Sequence, residues 1–496
     1  MLKALVPLVA GIVVAGRWSL PVWGAAAGLA VSVAGAFVLR RWTAADICIA
    51  AAMFFAGWCA VEVRPAPRAP EGERVMEIVV DEVLSRRGGE TVAEGRIAAF
   101  AADGGVERCG AAVRIWAARE VALGEGERVE ALCEVRPFAA DGYGLYMSRR
   151  GVAGTVFLDP SRVMRRAEGT LPWAQRLRHV AAERISRLGL DPAAEAVTAA
   201  MTVGDRTGLT PEMRRRYSLG GVSHLLAVSG LHVGFVFVIV NLLLWWVPVL
   251  RHGYVWRCLL AVAAIWVYAA VTGFPPSVVR AAAMFSVFQI SMAATVRFDS
   301  LNSLCLTACL MLLFDARTLY DAGFRLSFLS VAAILEWGVP LYRVAARRVM
   351  PSSANAPRGF GERTACALRR WCRSALLWLW GGVAMGAAAS VATMPLVSYL
   401  FGTVSLWSVA AGPAAVLLSG VAVGAAAVWI LFPVPFLQPL AAWVTGTAAG
   451  GLEALVTACA ESGSLAFEAA AGGVATAAAY TAMAIFTLWL WSLGRR

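Results

Sequence analysis

Gly221-Val-Ser-His-Leu-Leu-Ala-Val-Ser-Gly-Leu-His-Val-Gly234 runs directly into Phe235-Val-Phe-Val-Ile-Val-Asn-Leu-Leu-Leu-Trp-Trp-Val-Pro-Val-Leu250. The second part is an apolar run of the kind that enters a bilayer. The first part sets Ser223, His224, Ser229 and His232 at its mouth. Polar groups at membrane depth are costly unless they are paired or hydrated. Gly220, Gly221, Gly230 and Gly234 permit tight turns or close helix approach there. On an unbroken helix His224 and His232 would lie about 80° apart, roughly on one face. The plainer alternative is a helix cap whose hydroxyls bond backbone carbonyls.

Apolar runs like this one recur outward in both directions. Three open the chain, at about Leu2–Ala15, Val22–Leu39 and Ile47–Val63. The first follows Lys3, but Gly16-Arg17-Trp18 is no small-x-small cleavage site, so it is expected to be retained. After Tyr217 they run at about Phe235–Leu250, Cys258–Val271, Val279–Thr295, Asn302–Phe314, Phe324–Leu341, Ala375–Leu400, Val404–Leu431, Phe436–Ala460 and Ala470–Leu493. Asn302–Phe314 is short for a span and could re-enter instead. Of the 496 residues, 59% are hydrophobic and 15% charged, with a mean hydropathy of +0.67. Soluble domains are nearer about 45–50% apolar and about 25% charged. The chain is therefore expected to be a polytopic α-helical membrane protein, since helices satisfy their own backbone hydrogen bonds in lipid.

From about Pro65 to Tyr217 the pattern changes. Alternating stretches at Arg74–Val83, Thr91–Phe100, Ala112–Ala117 and Arg128–Val135 are separated by Arg87-Gly88-Gly89, Asp103-Gly104-Gly105 and Gly124-Glu125-Gly126. Short strands so punctuated predict a small all-β barrel or sandwich. About Leu171–Leu188 reads as an amphipathic helix, with Trp173, Leu177, Ala181, Ile185 and Leu188 at helical spacing. The predicted organisation is 1–64, three membrane helices; 65–170, the β domain; 171–217, a helical connector; and 218–496, eight or nine membrane helices.

The formal net charge is +12, and Lys3 is the only lysine. A Walker A loop needs a Gly-Lys-Ser/Thr run, so the chain is not expected to be its own ATP motor. Arginine placement predicts orientation. Arg40 and Arg41, Arg251 and Arg257, the eight arginines of Arg343–Arg373 and the terminal Arg495-Arg496 all fall on the cytoplasmic side if the β domain lies outside. Five crossings between Tyr217 and Arg343, and four after, keep that parity. An outer domain meets oxidising conditions, which makes Cys109 and Cys133 a candidate disulfide; two unpaired thiols are the alternative. No C-x-x-C pair or His-x-His pair is present, and neither a metal site nor any other cofactor is expected.

Three further stretches carry candidate chemistry. Gly204-Asp205-Arg206 precedes a helix start at Thr210-Pro211-Glu212. Thr272-Gly273-Phe274 leads to Arg280, and Asp321-Ala-Gly-Phe-Arg325-Leu-Ser327 opens a later span. Arg280 and Arg325 could snorkel to the interface or line a basic path for an anion. Arg149–Arg187 holds nine arginines against three acids, a surface suited to polyanions or anionic lipid head groups.

In their order, Gly204-Asp205-Arg206, Ser223-His224-Leu-Leu-Ala-Val-Ser229-Gly230-Leu-His232, Thr272-Gly273-Phe274 with Arg280-Ala281, Gly323-Phe-Arg325-Leu-Ser327-Phe328 and Phe401-Gly-Thr-Val-Ser405 resemble the ComEC family of competence proteins. The resemblance covers nearly the whole chain. It implies an inner-membrane channel for single-stranded DNA uptake rather than an enzyme, and an OB-like extracytoplasmic β domain that holds DNA through basic contacts and base stacking. Trp116 and Phe138 are candidate platforms, with packing as their alternative role. Implied partners are single-stranded DNA, membrane lipid, a DNA receptor, a cytoplasmic helicase or ATPase and a separate nuclease. Gly412 stands where the family has an asparagine, and no metallo-β-lactamase-like metal motif is visible. The rival readings are a small-solute transporter and, through Ser229-Gly230 beside histidines, a membrane-embedded hydrolase.

Overall fold

A computed structural model describes residues 2–18, 21–39, 44–63, 69–87, 90–102, 104–139, 142–249, 253–294, 299–349, 360–462, 466–468 and 472–494. Arg40, Arg41, Arg251, Arg495 and Arg496, expected to mark cytoplasmic turns, lie outside them, as does 350–359 of the arginine-rich loop.

Three helices open the chain: α1 (Leu2–Ala15), α2 (Val22–Val38) and α3 (Ala44–Glu62). Then come β1 (Arg74–Arg87), β2 (Glu90–Ala102), β3 (Gly105–Arg108), β4 (Ala112–Ala117), β5 (Arg128–Cys133), α4 (Gly142–Arg149), β6 (Val152–Leu158) and β7 (Val163–Ala167). Helices α5 (Trp173–Ser186), α6 (Pro192–Thr202) and α7 (Pro211–Leu219) lead to α8 (Gly230–Leu243), α9 (Gly253–Val271), α10 (Pro276–Ala293) and α11 (Ser300–Phe314). The remainder is α12 (Ala322–Ala333), α13 (Val339–Val349), α14 (Phe360–Phe401), β8 (Thr403–Ser405), α15 (Trp407–Ala410), α16 (Gly412–Leu431), α17 (Gln438–Ser462), β9 (Ala466–Glu468) and α18 (Gly473–Gly494). Two compact units result. One comprises Met1–Arg187, Glu195–Leu209 and Val236–Arg325; the other comprises Leu188–Ala194, Thr210–Phe235 and Leu326–Arg496.

Among the described residues, six helical stretches are long and apolar enough to cross a bilayer: Ala44–Glu62, Gly253–Val271, Pro276–Ala293, Ala322–Val349, Trp371–Phe401 and Gly412–Leu431. The protein is thus a multi-pass α-helical membrane protein with a β domain inserted near its N-terminus. The expected span at Val404 begins later, because Thr403–Ser405 is a strand paired with Ala466–Glu468. Gly230–Leu243 and Ser300–Phe314 are shorter apolar helices. The 28-residue stretch Ala322–Val349 changes winding at Ile334–Gly338, where the Val339 N–H donates to Ile334 five residues back. Pro340 explains the change, because it has no N–H to give the carbonyl of Glu336.

In the first unit the sheet order is β6-β4-β2-β1-β5-β7, with β3 paired to β2. β4 and β6 run parallel, and the other pairs are antiparallel. Past β5, Arg136 exchanges both backbone hydrogen bonds with Thr155 of β6, at 2.9 and 2.8 Å, so the sheet curls back on itself. Strand alternation builds the interior: Met76, Ile78, Ile97, Val113, Ile115, Val129 and Val156 are wholly buried. All four expected strands are present. β6, β7 and α4 complete the domain.

The expected Cys109–Cys133 disulfide is absent. The reason lies in strand order. Cys133 stands opposite Arg74 at the end of β5, and the Cys109 N–H bonds Ala98 on the far side of β2, with β1 between β5 and β2. Three inter-strand steps along the sheet are about 14 Å, whereas a disulfide requires Cα atoms within about 7 Å. The Cys133 thiol instead donates to the Ala131 carbonyl at 3.6 Å, and burial, aided by Glu73, pushes its pKa up to about 11.

Candidate functional site

In the second unit, α7 is capped by Thr210, whose hydroxyl accepts the Met213 N–H at 3.2 Å. The chain then turns through Gly221 at φ +71°. A Cβ there would fall 2.7 Å from the Ser408 backbone nitrogen, so only glycine fits both the dihedral and the space. Ser223–Leu226 follow as one 3-10 turn, and Ala227 is extended. The two histidines therefore do not share one unbroken helix. His224 lies in the turn and is exposed, whereas His232 lies in the first turn of α8 and is fully buried.

Ser229 and His232 close on each other. The Ser229 hydroxyl accepts the His232 N–H at 3.4 Å, and His232 Nδ1 accepts the Ser229 N–H at 3.2 Å. This is a reciprocal capping box with histidine in the place usually held by Glu or Gln. Accepting at Nδ1 puts the proton of a neutral ring on Nε2. Gly230 is the first helical residue. The cap differs from the one expected, since the hydroxyl receives an N–H rather than donating to a carbonyl. The imidazole engages backbone, not the serine hydroxyl, so this contact is not the Ser–His pair that a hydrolase would use.

In the first unit two of the motifs meet the connector helix. The Glu125 carboxylate takes the Arg178 guanidinium at 2.7 Å, His179 Nε2 at 3.2 Å and the Val83 N–H at 3.3 Å. The Arg178 and Glu125 side chains are 8% and 10% exposed. Losing one member of such a buried pair costs about 3–5 kcal/mol. Nearby, burial pushes the Glu82 carboxyl above its ordinary range, while Arg178 and Arg206 pull it back. Gly204 sits at φ +80°, and Asp205 accepts both the N–H and the hydroxyl of Thr207. Asp205 is therefore a turn-former, leaving exposed Arg206 facing Glu82.

The Thr272-Gly273-Phe274 run ends α9. The Phe274 N–H bonds Ala269 and the Gly273 N–H bonds Ala270, the paired bonds of a Schellman motif. Gly273 has φ +83°, and a Cβ on it would stand 3.8 Å from Arg178 Nη1. Arg280, on the second turn of α10, is 7% exposed. Its head group is inside the protein, not held out in solvent, so simple snorkelling does not describe it.

Asp321 caps α12 and faces the β domain. One oxygen accepts the Phe324 N–H at 3.1 Å, and the other lies 3.6 Å from Arg150 Nε. Tyr146 also bonds Asp321; burial first, then this carboxylate, raises the phenol pKa. Arg149 and Arg325 sit over the Tyr320 ring, at 5.1 and 5.6 Å from its centroid. Arg325 Nε donates to Leu319 at 2.7 Å, so this arginine holds the turn before α12. Ser327 is half-buried on that helix. Tyr146 and Tyr320 were not legible as site residues, whereas Arg149 and Arg150 open the arginine-rich Arg149–Arg187 segment.

On the outer face of the sheet, Trp116 of β4 and Phe157 of β6 are register partners. Their rings stack at 6.5 Å and are 41% and 52% exposed. Arg136 lies over Phe157 at 5.5 Å. Phe138 packs edge-on to Tyr143 and is half-buried, so the exposed partner of Trp116 is Phe157.

Residues 201–494 match the family model described as Competence protein. Over 139 residues the chain is 35% identical to ComE operon protein 3 of Bacillus subtilis, covering 28% of this chain and 18% of that protein. Over 166 residues it is 31% identical to an uncharacterized protein of Aquifex aeolicus, covering 33% of this chain and 38% of that one. The aligned stretches thus span well under half of either relative, and no solved structure matches. The family match takes in more than half of the chain, including every motif from Gly204 to Ser405, and the chain therefore belongs to the Competence protein family.

Proposed function

We propose that the chain is an inner-membrane channel that carries single-stranded DNA into the cytoplasm during transformation. The observation that carries this reading is the buried Arg280 guanidinium in an apolar candidate span, within a chain of the Competence family. A strand bearing one charge per nucleotide cannot cross hydrocarbon without a hydrated, partly basic path. In the first unit Arg280 offsets phosphate charge, and Arg325 positions the start of α12. In the second, the Ser223–His232 segment lines a constriction. The rival solute transporter predicts saturable uptake of a small molecule and normal DNA entry.

In this reading the curled sheet, with its parallel β4–β6 pair, is an OB-like domain facing outward. The arginine-rich 343–373 segment and the C-terminus face the cytoplasm. The Trp116–Phe157 stack, with Arg136 above it, meets DNA bases. The driving force comes from an ion gradient or from a partner ATPase, and a receptor and a nuclease act before translocation. Deleting the gene and measuring uptake of labelled DNA tests the proposal. Loss of internalised label with surface-bound label retained supports it; unchanged internalisation refutes it.

A further inference from the structure

Phe274 is the only non-glycine residue at positive φ among the described residues, at +54°. L-residues avoid this region because Cβ crowds the following carbonyl. Asparagine or glycine is the usual occupant, and a bulky side chain there is an outlier that invites explanation. In a Schellman motif the residue at this position normally recovers stability by packing its side chain back on the helix. Phe274 does not recover it fully, since 53% of the residue is exposed. Backbone strain is thus carried by an aromatic group that folding only half uses.

The surroundings fix where the ring stands. Gly273 before it occupies the left-handed region, and Pro275 and Pro276 after it lock the entry to α10. The ring is therefore presented on a short, stiff link rather than on a loose loop. Six residues on, the same helix carries the buried Arg280. The turn lies against Arg178 of the arginine-rich connector. A lipid anchor would need no such constraint, because an aromatic ring reaches the interface equally well from extended backbone.

We propose that Phe274 is a stacking contact for a base of the passing single strand, held ready by its strained turn. The inference rests on the reading of the chain as a DNA channel. An aromatic face accepts any base, so it suits sequence-independent cargo. Presetting the ring removes the entropy cost of ordering it at each step.

The test compares Phe274→Gly, Phe274→Leu and Phe274→Trp in cells, reading internalised over surface-bound labelled DNA at matched protein abundance. Thermal stability of each purified chain is read alongside. The glycine variant should melt higher than wild type yet internalise DNA about fivefold or more less well, the loss expected when one stacking contact goes. Leucine should lose transport comparably, and tryptophan should keep it. Single strands carrying 5-bromodeoxyuridine should photo-crosslink to the 272–276 peptide in the wild type. If wild-type cells internalise DNA and the leucine and glycine variants match them, the inference is overturned and the channel reading stands. If wild-type and gene-deleted cells internalise DNA equally, both fall.

Discussion

Arg150 and Asp321 face each other at 3.6 Å, and the same carboxylate caps α12 through the Phe324 N–H. One side chain thus ties the β domain to the helix start that carries Arg325. The two functions of Asp321 can be separated. Asp321→Asn keeps an N-cap oxygen but loses the charge, whereas Asp321→Ala loses both. We expect the alanine variant to lose about 1–2 kcal/mol and the asparagine variant less than about 1 kcal/mol. The ion-pair share is small because the two side chains are 35% and 17% exposed. Thermal unfolding of the purified chain checks the order; equal losses would show that the cap contributes nothing.

The Ser229–His232 box makes a prediction about chemistry as well as stability. Glutamine is a normal partner in such a box, so His232→Gln should fold about as well as wild type. His232→Ala and Ser229→Ala should each cost about 1 kcal/mol. If the ring also lines the constriction, the glutamine variant will be present in the membrane at normal abundance and still transport less DNA. Normal transport by His232→Gln would confine His232 to capping.

Glu82 gives a pH signature. Burial raises its folded pKa above the ordinary value of 4.5. The folded state therefore holds the proton more tightly than the unfolded chain does. That contribution is complete below the ordinary value and is lost as pH rises through the folded one. Glu82→Gln removes the penalty of burying the charge. The variant's melting temperature, relative to wild type, should climb as pH rises above the ordinary value of 4.5. A difference that stays flat or shrinks as pH rises would contradict the burial argument.

Local patterns were legible and long-range ones were not. The apolar runs at Ile47–Val63, Cys258–Val271 and Ala375–Leu400 correspond to helices, because apolar periodicity and length are properties of consecutive residues. The alternation at Arg74–Val83 and Thr91–Phe100 corresponds to β1 and β2 for the same reason. The separation of Cys109 from Cys133 was not legible because strand order, with β1 and β2 between them, is set by non-local pairing. The break before Ser229 depends on Gly221 meeting Ser408 nearly two hundred residues away in sequence. Arg178 with Glu125, and Arg150 with Asp321, likewise join segments whose separate sequences carry no mark of the partner.

Arg280 is the buried charge of α10. Replacing it with leucine removes the charge from α10, and replacing it with lysine keeps a charge in the same place. The decisive measurement is internalised over surface-bound labelled DNA in Arg280→Leu and Arg280→Lys cells, normalised to protein abundance in the membrane. The channel reading predicts that leucine lowers internalisation about tenfold or more, as loss of a desolvated charge contact would, while surface binding is unchanged and lysine restores part of the entry. Normal internalisation by the leucine variant at normal abundance would contradict it.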